Sequence, residues 1–152
     1  MEWLTYIFGL KTVAFFDLWS VEHVLSGISV GAAVRKRNRL ELARYLGRDH
    51  TVRSRYFDYT GVLCLAYAWE TIEHYLETGI AGARIETWFQ GVEFWGNRLI
   101  TDPPLLIVGY AIARRWPVAV WPARLASALW LFVHIVLLPD SMALQRLLFG
   151  AG

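Results

Sequence analysis

The stretch FDYTGVLCLAYAWETIEHYLET, residues 57–78, is apolar in its first half and carries Glu70, Glu73, His74 and Glu77 in its second. Its length matches the roughly 20 residues a helix needs to cross a ~30 Å hydrocarbon layer. The four ionisable residues follow i, i+3, i+4, i+7, so a helix places them all on one face. Each such group costs about 2.5–3.5 kcal/mol at the centre of a bilayer on insertion scales, so the face must turn inward and find partners. The stretch reads as a transmembrane helix with one wall of a polar chamber on it.

A similar stretch, DLWSVEHVLSG at 17–27, repeats the order Trp, Glu-His, Leu, Gly. It lies in a second apolar run, 12–34, and two more runs follow at 92–114 and 118–138. The sequence therefore predicts an all-α, single-domain, four-helix membrane bundle over residues 1–152. Composition agrees: 56% of residues are hydrophobic, eight are Trp, and mean hydropathy is +0.36. Only 18% are charged, where soluble domains carry about a quarter.

Arg35, Lys36, Arg37, Arg39, Arg44, Arg48, Arg53 and Arg55 fall in the connection 35–56, and Arg114 and Arg115 follow the third run. The positive-inside rule makes these loops cytoplasmic, so both termini face outward. The basic 35–56 loop suits anionic lipid, and membrane flanks explain it without nucleic acid as a partner. EWLTYIFGL at 2–10 and SMALQRLLFG at 141–150 read as short interfacial helices. No cleavable signal pattern precedes the first run. The single cysteine, Cys64, excludes an internal disulfide and reads as a packing residue.

By depth, the polar groups gather from the middle of the membrane outward. Asp17 falls near the outer end and Glu22 and His23 near the middle of the first run, Glu93, Asn97, Arg98 and Asp102 in the outer half of the third, and His134 near the outer end of the fourth. Asp17 and Glu77, nearest the outer ends, can reach headgroup water. Arg98 and Asp102 stand four apart and can neutralise each other. Gly27, Ser29 and Gly31 allow close approach of the first helix to its neighbours. TDPP at 101–104 combines an N-cap aspartate with proline at the first helical position, so the third helix is expected to break or kink there.

Glutamate and histidine on facing helices are the ingredients of a metal site. The candidate ligands are His23, Glu70, Glu73, His74, Asp102 and His134, a set that suits zinc, iron or manganese. Neither Glu-x-x-His nor His-Glu-x-x-His is present. Glu70, Glu73 and Glu93 are the catalytic candidates, a glutamate serving as general base; Asn97 and Arg98 are placed to bind a substrate headgroup. The substrate class is a lipid or amphiphile from the outer leaflet. The alternative is a small accessory subunit of a larger membrane complex, an electron-transfer or pigment-protein assembly, with these residues forming a structural polar network.

HVLSG (His23, Gly27), AWETIEH (Trp69, Glu70, Glu73) and NRLITDPPLLIVG (Asn97, Asp102, Gly109) resemble the motifs of small bacterial VanZ-like proteins and related uncharacterised families. The resemblance implies a multi-pass protein of the bacterial inner membrane associated with the cell envelope. It implies no reaction.

Overall fold

Three glycines decide how the main helices meet. In the computed structural model, which describes residues 3–46 and 51–150, helix α2 (Ser20–Leu46) crosses α5 (Asp102–Arg115) with backbone against backbone. A side chain at Gly27 would strike the Leu106 carbonyl group, and one at Gly109 would strike the backbone of Val24, Gly27 and Ile28. Gly31 faces the Tyr110 side chain. The contacts step together along both helices, so the two run parallel and begin at the same end. Helix α3 (Thr51–Glu77) packs against α2 and α5, and α6 (Val120–Phe132) packs against α2.

The remaining elements are short. Helix α1 (Trp3–Ile7) precedes α2, α4 (Ala83–Phe89) lies between α3 and α5, and α7 (Ala143–Phe149) closes the chain. A 3-10 turn at Pro117–Ala119 leads into α6, and a π-helical turn at Val133–Leu137 continues it. The all-α expectation holds among the described residues, and short helices stand near both ends of the chain.

The first apolar run does not become helix at residue 12. Residues 8–16 fold back instead: Gly9 N–H donates to the Phe16 carbonyl (3.0 Å), while Phe15 and Phe16 donate to Tyr6 and Ile7 (both 2.9 Å). Asp17 then starts α2. Its Oδ1 accepts from the backbone N–H groups of Trp19 (2.7 Å) and Ser20 (3.1 Å), and Ser20 Oγ accepts from Asp17 N–H (3.2 Å). This reciprocal pair satisfies donors that a helix start leaves open.

The basic 35–56 segment, expected as a loop, is helical at 35–46 and again from Thr51; residues 47–50 lie outside the described residues. Good helix formers and the Arg37–Glu41 pair (2.7 Å) keep α2 going past its apolar part. The run 92–114 is helical only from Trp95.

The irregularity expected at 101–104 takes the form of a π-helical turn, Asn97–Thr101, immediately before it. Pro103 has no N–H to offer the Leu99 carbonyl, and its ring crowds that carbonyl in a regular α-helix. The wider turn relieves the crowding, and the Leu99 carbonyl accepts the Tyr67 hydroxyl of α3 instead (3.1 Å).

The apolar core follows the buried His23, Glu70 and Asp102 by one turn along α5. Val62, Ala66, Leu106 and Tyr110 form one cluster, and Ile28, Ala113 and Ala123 another. One helical run among the described residues, Pro117–Leu137, is long and apolar enough to cross a membrane by length and composition. Alanine at Gly27 or Gly109 should lower stability by about 1–3 kcal/mol each, because backbone cannot yield as a flexible side chain would. Thermal unfolding of the purified protein checks this, and unchanged melting in both variants would contradict the contact.

Candidate metal centre and polar network

His23 stands one turn before Gly27 on α2, and Asp102 stands one turn before Leu106 on α5. The glycine crossing therefore brings the two side chains together, with His23 Nε2 3.1 Å from Asp102 Oδ2. From α3, Glu70 Oε1 approaches His23 Nδ1 at 3.9 Å. All three residues are buried, and ligand atoms from the three lie within 4.8 Å of one another.

The carboxylates in this group are poorly supplied with donors. Among the described residues, neither oxygen of Glu70 nor of Asp102 has a hydrogen-bond partner. The His23–Asp102 approach is close enough for an ion pair but is not aligned as an N–H···O bond. One oxygen from each carboxylate thus faces the imidazole, and among the described residues no donor other than His23 approaches either group. Buried polar atoms are normally satisfied, and a carboxylate left bare in low dielectric is costly. A divalent cation or protons would answer that demand, and the group could hold a metal ion. One nitrogen and two carboxylates leave coordination positions open, as a reactive rather than a closed structural site requires.

A second cluster adjoins it. Glu77 is buried and accepts from Lys11 and from Arg98, and its Oε2 also accepts the Glu93 backbone N–H (3.0 Å). Arg98 lies 3.5 Å from Glu93 Oε2 and 3.1 Å from His74 Nδ1. Asn97 Nδ2 donates to Glu93 Oε1 (2.9 Å) and at longer range to Asp17 Oδ2 (3.4 Å). Lys11 also sits over the Phe89 ring, 4.7 Å from its centroid.

Of the six residues proposed as metal ligands from the sequence, the structure gathers His23, Glu70 and Asp102. Glu73, half-buried, lines the neighbouring cavity. His74 turns to Arg98 instead. His134 is buried in an aromatic box: its ring stacks on Trp130 at 4.6 Å and leans on Trp19 at 4.8 Å, and its Nδ1 lies 2.9 Å from the Trp130 carbonyl. Glu93, Asn97 and Arg98 belong to the second cluster. Arg98 does not pair with Asp102, because the π turn between them takes the two off a shared face. Asp17 and Glu77, read as residues that can reach headgroup water, are buried network members, and Lys11, outside the set of residues singled out from the sequence, joins them. The Asp17-x-x-Ser20 cap, the i+7 spacing of Glu77 from Glu70, and a lone lysine among aromatic residues were the available signals.

Glu22 ties α2 to α6, its Oε1 accepting the hydroxyls of Ser26 (2.7 Å) and Ser127 (2.5 Å). Beside it opens a cavity of about 530 Å³. His23, Glu73 and Lys11 supply polar groups to its wall, while Leu65, Trp69, Trp88, Leu131 and Ile135 make much of the rest apolar. Its size and lining are those of a small-molecule site. Compared with protein families, curated proteins and solved structures, the chain matches none.

Removing the Glu77 charge by Glu77→Gln leaves Lys11 and Arg98 buried without their main counter-ion. Breaking such a pair from one side costs about 3–5 kcal/mol, whereas Glu41→Gln at the exposed Arg37 pair should cost no more than about 0.5 kcal/mol. Comparative melting of the two variants measures the contrast.

Proposed function

We propose that this chain is a multi-pass protein of the bacterial inner membrane whose buried His23–Glu70–Asp102 group binds a divalent metal beside a cavity for a lipid or amphiphilic substrate. The observation that carries the reading is the pair of carboxylates beside His23 with no hydrogen-bond partner among the described residues, next to a largely apolar cavity. Zinc, iron and manganese suit this donor set.

Support for the membrane setting comes from the distribution of side chains. Lys11, Asp17, Glu70, Glu77, Arg98 and Asp102 are buried, while Leu125, Leu129, Phe132, Ile135 and Val136 of the apolar run stand more than half exposed. A water-soluble fold places these classes the other way round. At the opposite end from the polar network, Arg115 and Arg124 lie over the rings of Trp116 (5.7 Å) and Trp121 (5.2 Å), a pairing suited to an interface. With α1 and α7 as interfacial helices, the bundle has four spans, both termini outside and its basic end in the cytoplasm.

A bound metal would act as a Lewis acid on a substrate oxygen. Glu73, at the cavity wall and one turn from Glu70, is placed to accept a proton from substrate or water. Asn97 and Arg98 are already engaged by protein groups, so their part is to hold Glu93 and Glu77 rather than to grip a headgroup. His23, Glu70 and Asp102, three of the positions in the VanZ-like resemblance, fall within the metal group, and Gly27 and Gly109 within the helix crossing that builds it.

The ion pairs of Glu77 with Lys11 and Arg98 favour a structural role for the second cluster, although Glu93 Oε2, Asn97 Oδ1 and Arg98 Nε have no hydrogen-bond partner there among the described residues; this pairing is the support for the accessory-subunit reading. Elemental analysis of protein purified without chelators separates the two. The metal reading expects about one equivalent of zinc, iron or manganese in the native chain and its loss in His23→Ala and Asp102→Asn. Metal-free native protein, folded and never exposed to chelator, would reject it.

A further inference from the structure

At the end of the bundle away from the metal group, α2 and α5 separate around a second cleft of about 420 Å³. Its floor is made by Ala32, Tyr110 and Ala113, and Arg35, Lys36, Arg39 and Arg114 line it. Arg35 and Arg114 are half-buried. Among the described residues, no carboxylate pairs with any of these four cations, although neighbouring Arg37 has Glu41 at 2.7 Å. The one buried carboxylate close to the floor, Asp58, accepts from the Tyr110 hydroxyl (2.8 Å) and from Asn38 Nδ2 (2.9 Å). These two bonds tie α3 to α2 and α5, and no ion pair joins Asp58 to any of the four cations among the described residues.

Four cations lining one cleft with no carboxylate partner among the described residues, two of them partly withdrawn from water, favour an anion there. The cleft's apolar floor and its neighbours Pro117 and Val120 show what else that anion carries. Exposed Val118 and Trp121 continue the apolar surface beyond the rim. A free phosphate would leave these surfaces uncovered, whereas a headgroup with acyl chains covers them. We propose that this cleft is a binding site for an anionic phospholipid, its phosphate held by Arg35, Arg39, Arg114 and Lys36 and its chains lying along α5 and α6. The site rests on the membrane reading above but is independent of the metal and of the reaction. Basic pockets between membrane helices on the cytoplasmic side have this chemistry.

The test uses the full chain in mild detergent, titrated separately with phosphatidylglycerol, phosphatidylcholine and inorganic phosphate while melting and native mass are recorded. Phosphatidylglycerol should raise the melting temperature and remain bound as a discrete adduct; phosphatidylcholine and phosphate should do neither. Each basic side chain near an anionic lipid surface contributes about a fivefold gain in binding. The triple variant Arg35→Gln, Arg39→Gln, Arg114→Gln should therefore bind about a hundredfold more weakly, and Arg37→Gln should bind as the native chain does. Should the triple variant not fold, the native chain's discrimination between the three ligands decides alone. Equal response to phosphatidylcholine overturns the proposal, an equal response to inorganic phosphate replaces the lipid with a free anion, and full retention of binding by the triple variant moves the site elsewhere. A chain that stays soluble and folded without detergent would overturn the membrane reading itself, a different result from a membrane protein indifferent to phosphatidylglycerol.

Discussion

The contact of α2 with α5 through Gly27 and Gly109 is the constraint on which the other features depend. It allows the two backbones to touch, and it fixes a register in which His23 meets Asp102, Gly27 meets Leu106 and Gly31 meets Tyr110. Asp17 caps the N-terminal end of α2, whose positive dipole end favours a carboxylate there. Van der Waals packing of small residues, rather than the polar groups, brings the helices close. The polar groups then occupy positions that the packing has already set.

Charge balance divides the polar end into two parts of different character. Asp17, Glu22, Glu70, Glu73, Glu77, Glu93 and Asp102 are seven carboxylates, and Lys11 and Arg98 are the permanent cations that approach this set. Both cations are directed at Glu77, and Arg98 also approaches Glu93. Glu77 is therefore paired on both oxygens, while Glu93 Oε2, Asn97 Oδ1 and Arg98 Nε beside it have no hydrogen-bond partner among the described residues. The group around His23 receives the deficit. The Glu77 ion pairs and the His23 group are thus adjacent but distinct sets of residues, each with a different tolerance for substitution.

Much of this arrangement was legible in the sequence. The i, i+3, i+4, i+7 spacing placed Glu70 and Glu77 on one inward face, and Gly27 and Gly31 marked the closely packed side of α2. Asp102 was recognisable from the Asp-Pro-Pro motif. The fate of Lys11 was not, because it depends on residues 8–16 folding back through backbone hydrogen bonds that hydropathy does not encode. The same fold delayed α2 to Ser20. His74 and His134 could not be sorted from His23 by type or depth; which face each takes is decided by Arg98 in one case and by Trp19 and Trp130 in the other. The helical continuation through Arg35–Leu46 was hidden because charge density reads as loop when a membrane boundary is expected.

The π turn at Asn97–Thr101 has an evolutionary consequence. Such a turn is an α-helix with one residue too many, and it rotates everything after it by about 100° relative to everything before. In a regular helix Arg98 and Asp102 would share a face and cancel, leaving His23 opposite an already neutralised carboxylate. The extra residue releases Asp102 toward His23 and leaves Arg98 for Glu77. A lineage could therefore acquire or lose the unsatisfied group through a single-codon insertion or deletion, with every ligand residue still spelled out in the sequence. Relatives sharing these side chains but differing in length by one residue between Trp95 and Asp102 would have the same inventory and a different electrostatic centre.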